Sequence, residues 1–415
     1  MKQCFKNMKI RAGRFVIQAG FLLCTLLLGS CITRSDQDAF INMESIERQV
    51  MVLEGNNQRA MSETFDHSPK PAAIVPRSID KDGNLMLIPS NDWCSGFYPG
   101  ILWYMFELTG GDHWKVKADS YTRMLEGEKM NRTTHDMGFK MMSSYGNGYR
   151  LTGDSTYREV LIQSAKSLIT RFNETVGCIR SWDWNQHVWQ FPVIIDNMMN
   201  LELLFWATEE TGDSIYYKIA EAHALTTLKH QFREDYGSFH VVDYDSVTGE
   251  VIARYTHQGY ADSSTWSRGE AWALYGYTMA YRFTGRVCFL DQAIGIASFI
   301  LEHPNLPVDW VPYWDFIAPG IPDEPRDVSA ATIMASALYE LSRYADRSLG
   351  YSETADQILA VLGTRKYRAA PGTNKGFLLE HSVGHMPLDN GVDAPVIYAD
   401  YYYLEALCRK GKLSE

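Results

Sequence analysis

Apolar segments that end in Thr-Gly recur along the chain, and they predict helical hairpins. Glycine just past the end of a helix supplies the left-handed residue that a C-cap requires, and a following Asp or Ser can begin another helix. The segment after each Thr-Gly pair is more polar and amphipathic, which is typical of a helix with one face toward solvent. The four pairs are Thr109-Gly110, Thr152-Gly153, Thr211-Gly212 and Thr284-Gly285.

About six apolar segments alternate with amphipathic ones, and this pattern predicts an all-α fold. The stretch from Pro192 to Trp206 is apolar almost all round, as a helix buried on every side should be. Six inner helices paired with six outer helices indicate an (α/α)6 toroid, and the irregular repeat length disfavours a solenoid. No linker divides residues 41–415, so we expect one catalytic domain there. The apolar segments lie near residues 96–108, 136–151, 195–210, 268–283, 327–343 and 394–408.

The connections between these hairpins should gather at one end of the toroid, and several are rich in aromatic and polar residues. Tryptophans in such loops often stack on carbohydrate or support the wall of a cleft. Function is therefore expected at this end of the fold. The aromatic connections are residues 91–99, 180–191, 240–268, 307–327 and 380–393.

The N-terminus has the pattern of a bacterial lipoprotein signal. A basic region without acidic residues precedes an apolar segment, Phe15 to Gly29, that is short for a permanent transmembrane helix. Leu28-Gly29-Ser30-Cys31 then resembles a lipobox, although an ordinary signal peptide with a chance cysteine is the alternative. We expect a signal peptide at 1–30, a lipidated Cys31 with its tether at 31–40, and an exported protein anchored to the membrane, periplasmic or at the outer membrane.

Charge and cysteine usage exclude several functions. The formal net charge is −11, and loss of the five basic residues of the signal takes it to −16, which disfavours binding to nucleic acid. Locally placed donors must therefore hold any anionic ligand. The seven cysteines form no CxxC pair and the eleven histidines do not cluster at metal-ligand spacing. We expect neither a metal nor a cofactor.

Two aspartates are the best candidates for chemistry. Asp136 stands at the start of an apolar segment, where capping of a helix is the simpler interpretation when the residue is taken alone. Asp196 lies inside an apolar segment, where burial disfavours the charged form and raises the pKa, as a general acid requires. A buried aspartate bound to a backbone donor is the alternative for Asp196.

A third group of candidates surrounds the start of the fourth apolar segment. Arg268 and Trp272 are four residues apart and share a helix face, so a guanidinium that binds a carboxylate could lie beside an indole that stacks on a sugar. The alternative is an internal pair between Arg268 and Glu270 with a core tryptophan. His240 by itself is typical of a loop histidine whose hydrogen bonds are satisfied.

At these residues the chain resembles the unsaturated glucuronyl hydrolases, glycoside hydrolase family 88. The resemblance extends from about Asn91 to Leu407. Its markers, in order, are Trp93-Cys94-Ser95-Gly96-Phe97-Tyr98-Pro99-Gly100, His135-Asp136-Met137-Gly138-Phe139, Ile195-Asp196-Asn197-Met198-Met199-Asn200, Trp266-Ser267-Arg268-Gly269-Glu270-Ala271-Trp272, Val311-Pro312-Tyr313-Trp314-Asp315-Phe316, Arg326-Asp327-Val328-Ser329-Ala330-Ala331 and Ile397-Tyr398-Ala399-Asp400-Tyr401.

The resemblance implies an (α/α)6 toroid and a glycoside hydrolase that acts on oligosaccharides left by polysaccharide lyases. Such enzymes hydrate the 4,5-double bond of an unsaturated uronic acid at the non-reducing end. By the same resemblance, Asp196 is the general acid/base and Asp136 the second carboxylate, at the position assigned as nucleophile. It also implies that substrate is bound by Trp93, His240, Thr256, Gln258, Arg268 and Trp272.

In some relatives a loop before the last inner helix recognises sulfate with serines and a lysine. Here Ser382 and His385 remain as candidate binding residues and no lysine is present. Two other functions stay open: an unsaturated rhamnogalacturonyl hydrolase, and a lipid-anchored glycan-binding protein without catalysis. Asp196 distinguishes an enzyme from the glycan-binding protein, because a binding protein has no need of an acid in an apolar segment.

Overall fold

The computed structural model describes residues 42–63 and 72–414. The signal peptide, Cys31 and the tether lie outside the described residues, as does the first residue of the expected domain. Among the described residues, no helix combines the length and the apolar character that crossing a bilayer requires.

Within the described residues, six helical segments form an inner ring. All fourteen residues of α11 are buried, which fits a helix that is surrounded on every side. The ring closes because α13 packs against both α11 and α2. In chain order the inner segments are α2 (Phe97–Thr109), α4 (Met137–Met141) continuing through a π-helical turn (Met142–Gly146) into α5 (Asn147–Thr152), α7 (Leu201–Thr211), α9 (Ser267–Thr284), α11 (Val328–Leu341) and α13 (Ile397–Ser414).

Six more helices of the described part of the chain form the outer ring, and together the two rings confirm the predicted (α/α)6 toroid. The first of them, α1, contacts the second through Trp114 Nε1, which donates to Glu47 Oε1 at 2.9 Å. The outer helices are α1 (Met43–Glu63), α3 (Asp112–Arg123), α6 (Ser155–Ile169), α8 (Ser214–His230), α10 (Val287–Leu301) and α12 (Tyr351–Leu362).

All four predicted Thr-Gly turns occur. Gly110, Gly153, Gly212 and Gly285 each end an inner helix in the left-handed region, with φ between 62° and 72°. The predicted start of the next helix holds at two of them, where the carboxylates of Asp154 and Asp213 accept backbone N–H groups of α6 and α8. The hairpins are thus set by local sequence.

Short strands lie in the connections that precede the inner helices. β5 (Pro192–Ile194), β6 (Val241–Tyr244) and β7 (Val251–Tyr255) form an antiparallel sheet in that order. The other strands form two-stranded pairs: β1 (Val75–Ile79) with β2 (Leu85–Ile88), β3 (Phe172–Asn173) with β4 (Cys178–Ile179), and β8 (Ser382–His385) with β9 (Asn390–Ala394).

One expected helix is interrupted. The apolar stretch from Pro192 to Trp206 is a strand, then a 3-10 turn (Ile195–Asn200), and only then the helix α7. Its first residues pair with β6, and the Ile195 amide donates to the His240 carbonyl at 3.1 Å. An apolar run that is buried in a sheet and one that is buried in a helix look alike by periodicity. This turn carries Asp196.

Candidate active site

Asp136 occupies the position just before α4, but it does not cap that helix. Its carboxylate makes no bond to the free N–H groups of the first turn, so the capping interpretation is wrong. One oxygen accepts the Thr134 hydroxyl and the other lies 3.1 Å from His135 Nε2. Burial alone would raise the pKa, but His135 and Thr134 outweigh it, and the pKa of Asp136 falls below its usual value. Asp136 is therefore a carboxylate that stays ionised.

Asp196 has the opposite character. It is 7% exposed in the 3-10 turn, and its Oδ2 atom has no hydrogen-bond partner among the described residues. Burial raises its pKa to about 6, although His135 and Arg268 oppose the shift. The predicted elevation of the pKa is thus present, and Asp196 is a carboxylic acid below that pH.

The second and third inner segments approach closely, and this contact brings the two aspartates to one place. A Cβ at Gly138 would lie 2.5 Å from Asn200 Cα, so only glycine permits this spacing. The Phe139 amide donates to Asn200 Oδ1 at 2.9 Å across the same contact. The charge of Asp136 adds to the elevation of the Asp196 pKa, which agrees with their proximity.

His240 faces Asp196 as a neutral donor. Its Nδ1 accepts the backbone N–H groups of His257 and Gln258 at 3.0 and 3.1 Å. These partners place the ring proton on Nε2 in the neutral form, and Nε2 lies 3.7 Å from Asp196 Oδ2. Burial, reinforced by His257, holds the pKa of His240 well below its usual value. His240 is therefore only half satisfied, unlike an ordinary structural histidine.

One oxygen of Asp196 is enclosed. Oδ2 is buried without a hydrogen-bond partner among the described residues, and it lies 3.7 Å from His240 Nε2. The side chain of Asp196 as a whole is 11% exposed, so a ligand can still reach it.

Arg268 lies beside these groups. Its bonds match neither the predicted guanidinium that is free to bind a ligand carboxylate nor the predicted internal pair with Glu270. Its partner is Asp327 at 2.8 Å, whereas Glu270 accepts the Ser238 amide, so the predicted Arg268–Glu270 pair is wrong. The four terminal N–H groups bind the Asp327 carboxylate, the Gln258 amide oxygen and two backbone carbonyls. Only Nε lacks a partner among the described residues, and it is buried. In this conformation Arg268 supplies positive charge rather than a two-pronged carboxylate contact.

The aromatic candidates line the same region in different ways. Trp272 is completely buried, in contact with Phe139 and Tyr402, and its Nε1–H has no partner in the described chain. Its faces are not free for stacking on a sugar in this conformation. Trp93 is half-buried and packs on Phe139 and Tyr398 with ring centroids 5.4 and 5.0 Å apart, so it is the more accessible of the two.

An aromatic wall of three tryptophans continues the site outward. Trp182 and Trp184 stack with centroids 4.8 Å apart, and Trp189 closes the group at 5.2 Å from each. The ring of His257 contacts all three. The sequence marked these tryptophans as a loop cluster, but His257 was not selected as a binding residue although it stands beside Gln258.

His385 reaches this wall from the β8–β9 hairpin. Its Nδ1 accepts the Leu388 amide at 3.2 Å, so its Nε2 carries the proton in the neutral ring and donates to His257 Nε2 at 3.1 Å. Burial, with His257 next, lowers the pKa of His385 to about 4. The predicted residue His385 therefore lies at the site, bonded to a residue that the sequence had not singled out.

The remaining predicted residues occupy supporting positions. The Thr256 hydroxyl accepts the Gly259 amide at 2.8 Å within its own loop. Gln258 holds Arg268 through Oε1 at 3.1 Å, so its amide nitrogen is directed elsewhere. Ser382 is 1% exposed at the start of β8. No group of three potential metal ligands exists among the described residues, whose four cysteines are all free.

The (α/α)6 toroid carries an ionised and a protonatable carboxylate at its loop end. This combination is typical of glycoside hydrolases that have this fold. The sequence profile described as Glycosyl Hydrolase Family 88 matches residues 75–292. The chain belongs to this family.

The relatives agree along nearly the whole chain. An unsaturated glucuronyl hydrolase from Formosa agariphila is 49% identical over 373 residues, 89% of this chain and 92% of the relative. An unsaturated chondroitin disaccharide hydrolase from Streptococcus pneumoniae is 33% identical over 80% of this chain and 85% of the relative. The solved structure of an unsaturated glucuronyl hydrolase specific for heparin has a TM-score of 0.84 and 43% identity, covering 91% of this chain and 98% of that one.

Proposed function

We propose that this protein hydrates the 4,5-double bond of an unsaturated uronic acid at the non-reducing end of lyase-generated oligosaccharides of the glycosaminoglycan type. The observation that carries the proposal is that the pKa values of the two carboxylates are shifted in opposite directions. Asp196 has a pKa of about 6, so it can hold and donate a proton at weakly acidic pH, whereas the lowered pKa of Asp136 keeps that residue ionised. The names of the relatives, unsaturated glucuronyl and chondroitin disaccharide hydrolases, support the substrate class.

The reaction begins with proton transfer to carbon. Asp196 protonates C4 of the vinyl ether, and positive charge develops at C5 and the ring oxygen. Water then adds to C5 as Asp196, now a carboxylate, takes its proton, which restores the acid. The hemiketal at C5 opens to a ketone, and the hemiacetal at C1 releases the neighbouring sugar as an alcohol. Positioned acid–base catalysis of this kind contributes about 10²–10⁴-fold.

Asp136 has a different role in this scheme. Its ionised carboxylate stabilises the positive charge at C5 and the ring oxygen, and it orients the attacking water. A covalent bond to C1 is unnecessary because the glycosidic bond breaks only after hydration. The separation of carboxylates that distinguishes retaining from inverting enzymes therefore does not apply.

The test compares Asp196→Asn with wild type on unsaturated disaccharides, by following loss of the ultraviolet absorbance of the double bond. Asn cannot donate the proton, so we expect kcat to fall about 10³-fold while the substrate still binds. Asp213→Asn, at an exposed helix cap, is the matched control and should retain full activity. Full activity of Asp196→Asn would remove the acid assignment.

Isotope labelling separates hydration from direct cleavage. In H₂¹⁸O, hydration places the label on the keto carbon of the uronate and none in the released sugar, whereas direct attack at C1 labels C1. A panel that includes a rhamnogalacturonan-derived disaccharide tests the second candidate function, because preference for it would assign the unsaturated rhamnogalacturonyl activity instead.

The anchor is part of the proposal as well. The Leu-Gly-Ser-Cys pattern supports a lipoprotein that is lipidated at Cys31, exported, and held at the membrane in the periplasm or at the outer membrane. Wild-type protein should incorporate labelled palmitate and sediment with membranes, and Cys31→Ala should do neither. Membrane association of Cys31→Ala without the label would contradict the lipid anchor.

A further inference from the structure

The guanidinium groups of Arg268, in the candidate site, and of Arg77, in strand β1, differ in what they can still bind. All four terminal N–H groups of Arg268 already have acceptors, so a new anion would have to displace a protein group. Arg77 has one such bond, from NH1 to Asp92 Oδ2 at 2.8 Å. Its other N–H groups donate no hydrogen bond within the part of the chain that the structure describes.

Arg77 lies between two segments that carry site residues. Asp92, its partner, directly precedes Trp93 in the chain. The next residue of β1, Ser78, donates its hydroxyl to the Pro395 carbonyl at 2.6 Å and pairs with Val396. The strand is thereby fixed against the segment that follows β9, just before α13 begins.

The charge of Arg77 also reaches groups at the site. His385, whose pKa is lowered mainly by burial and His257, experiences a smaller lowering from Arg77. Tyr398 packs against Trp93, and its pKa, which burial raises, receives a smaller lowering from Arg77. These effects agree with a position of Arg77 near His385 and near Tyr398, the ring on which Trp93 packs.

The side chain is anchored and still accessible. Asp92 fixes one edge of the guanidinium, and 27% of the Arg77 side chain is exposed to solvent. A planar guanidinium with free N–H groups binds the oxygens of an oxyanion in pairs, which a lysine cannot do. Because the protein is acidic overall, such a local donor is the way for it to hold an anionic group.

We propose that Arg77 forms an anion subsite at the rim of the active site, which binds a sulfate ester on the sugar that the reaction releases. The inference rests on the proposed function, since it places the unsaturated uronate beside Asp196 and the next sugar toward the rim. Arg77 is then a specificity-determining residue: it favours sulfated disaccharides without taking part in proton transfer.

The experiment measures kcat and KM of wild type and Arg77→Gln on unsaturated disaccharides that differ only in the presence and position of one sulfate. For at least one sulfated substrate, the loss of the charged contact should raise KM about tenfold with little change in kcat. The matched unsulfated substrate should change less than twofold. Arg77→Lys should restore part of the preference, because it keeps the charge but not the paired geometry.

Lys81→Gln is the matched control. Lys81 lies just after the same strand and pairs with Asp389 at an exposed position, so its loss should leave both substrates unaffected. An equal loss on sulfated and unsulfated substrates would make Arg77 structural and overturn the proposal, as would no loss on any substrate. If the wild type turns over no unsaturated disaccharide, the proposed function itself fails, which is a different result.

Discussion

The two ends of the toroid contain very different polar groups. A cavity of about 940 Å³ extends along the inner helices, from Gly138, Phe139 and Met199 near the aspartates to Arg409 and Leu413 near the end of α13. Its walls carry a chain of alternating charges in which neighbours pair with one another. In order, the chain is Glu202, Arg282, Glu340, Arg409 and Glu405.

At the loop end, by contrast, several buried polar groups have no partner among the described residues. Asp196 Oδ2, His240 Nε2 and Trp272 Nε1 are buried and have no hydrogen bond within the described residues. Buried polar groups usually find partners, so a cluster of exceptions indicates a site prepared for a ligand. The comparison indicates that buried polar groups left without partners beside the two carboxylates mark the active end.

The largest expected effect at the active end is that of Asp136→Asn. Loss of the ionised carboxylate should reduce kcat about 10³-fold, since charge stabilisation in a site of this kind is worth several kcal/mol. The absorbance assay measures it. Loss of the contacts with Thr134 and His135 should also lower stability, so activity is measured below the unfolding transition of the variant.

Asp154→Ala is the contrasting variant. Asp154 does cap its helix, because its carboxylate accepts the Thr156 amide at 2.8 Å. The variant protein should therefore lose about 1 kcal/mol of stability and no activity. If Asp136→Asn resembled Asp154→Ala, the distinction between a cap and a catalytic group would be lost.

At the opposite end, Glu405→Gln should act on stability alone. Glu405 accepts the hydroxyls of Tyr104 and Tyr275 at 2.9 and 3.0 Å, and it lies 3.7 Å from Arg409. Removal of one charge from a buried network leaves the others uncompensated, so the free energy of unfolding should fall by about 3 kcal/mol. Urea unfolding measures this.

Activity provides the check on that prediction. Below the unfolding transition, Glu405→Gln should have the wild-type kcat/KM. The exposed pair Arg48–Glu44 supplies a control, and Arg48→Ala should change stability by less than about 1 kcal/mol. A large loss of activity in Glu405→Gln at unchanged stability would contradict this prediction and show that the two ends of the toroid are functionally coupled.

The smallest effect is the pH dependence that distinguishes the two aspartates. Because Asp196 must be protonated to act, kcat/KM should fall about tenfold per pH unit above pH 6, near its pKa of about 6. The acid limb should lie below pH 3.8, because the pKa of Asp136 is lowered from that value. A flat profile between pH 5 and 8 would contradict the assignment of Asp196.

The raised pKa of Asp196 also makes the stability of the protein depend on pH. The folded-state pKa of Asp196 is raised, so its contribution to stability is present at low pH and is lost as the pH rises through about 6. Asp196→Asn removes this dependence. Its stability relative to wild type should therefore increase between about pH 3.8 and 6 and stay constant above that range.

Much of the fold follows from local sequence. The Thr-Gly turns are readable because a helix end needs a left-handed residue, and glycine adopts that conformation at little cost. The interruption before α7 was missed because it depends on pairing of residues 192–194 with β6, about fifty residues further along the chain. No property of the apolar run itself distinguishes that strand from a helix.

The candidate site was predicted less completely. Asp196 stood out because an acid within an apolar run must change its pKa or find a partner. Asp136 looked like a helix cap, since its position suits one, and only the contacts with Thr134 and His135 show its carboxylate used differently. Arg77 gave no signal at all, because it stands in a hairpin outside every motif.

The sequence by itself determined the alternation of inner and outer helices, the turns between them, and the two aspartates as the groups to consider. These depend on residues close together in the chain. The tertiary structure decided which groups are left unpartnered, because a hydrogen-bond partner such as Asp327 for Arg268 is 59 positions away. It thereby separated the ionised Asp136 from the protonatable Asp196, since a pKa depends on the burial and charges that folding creates.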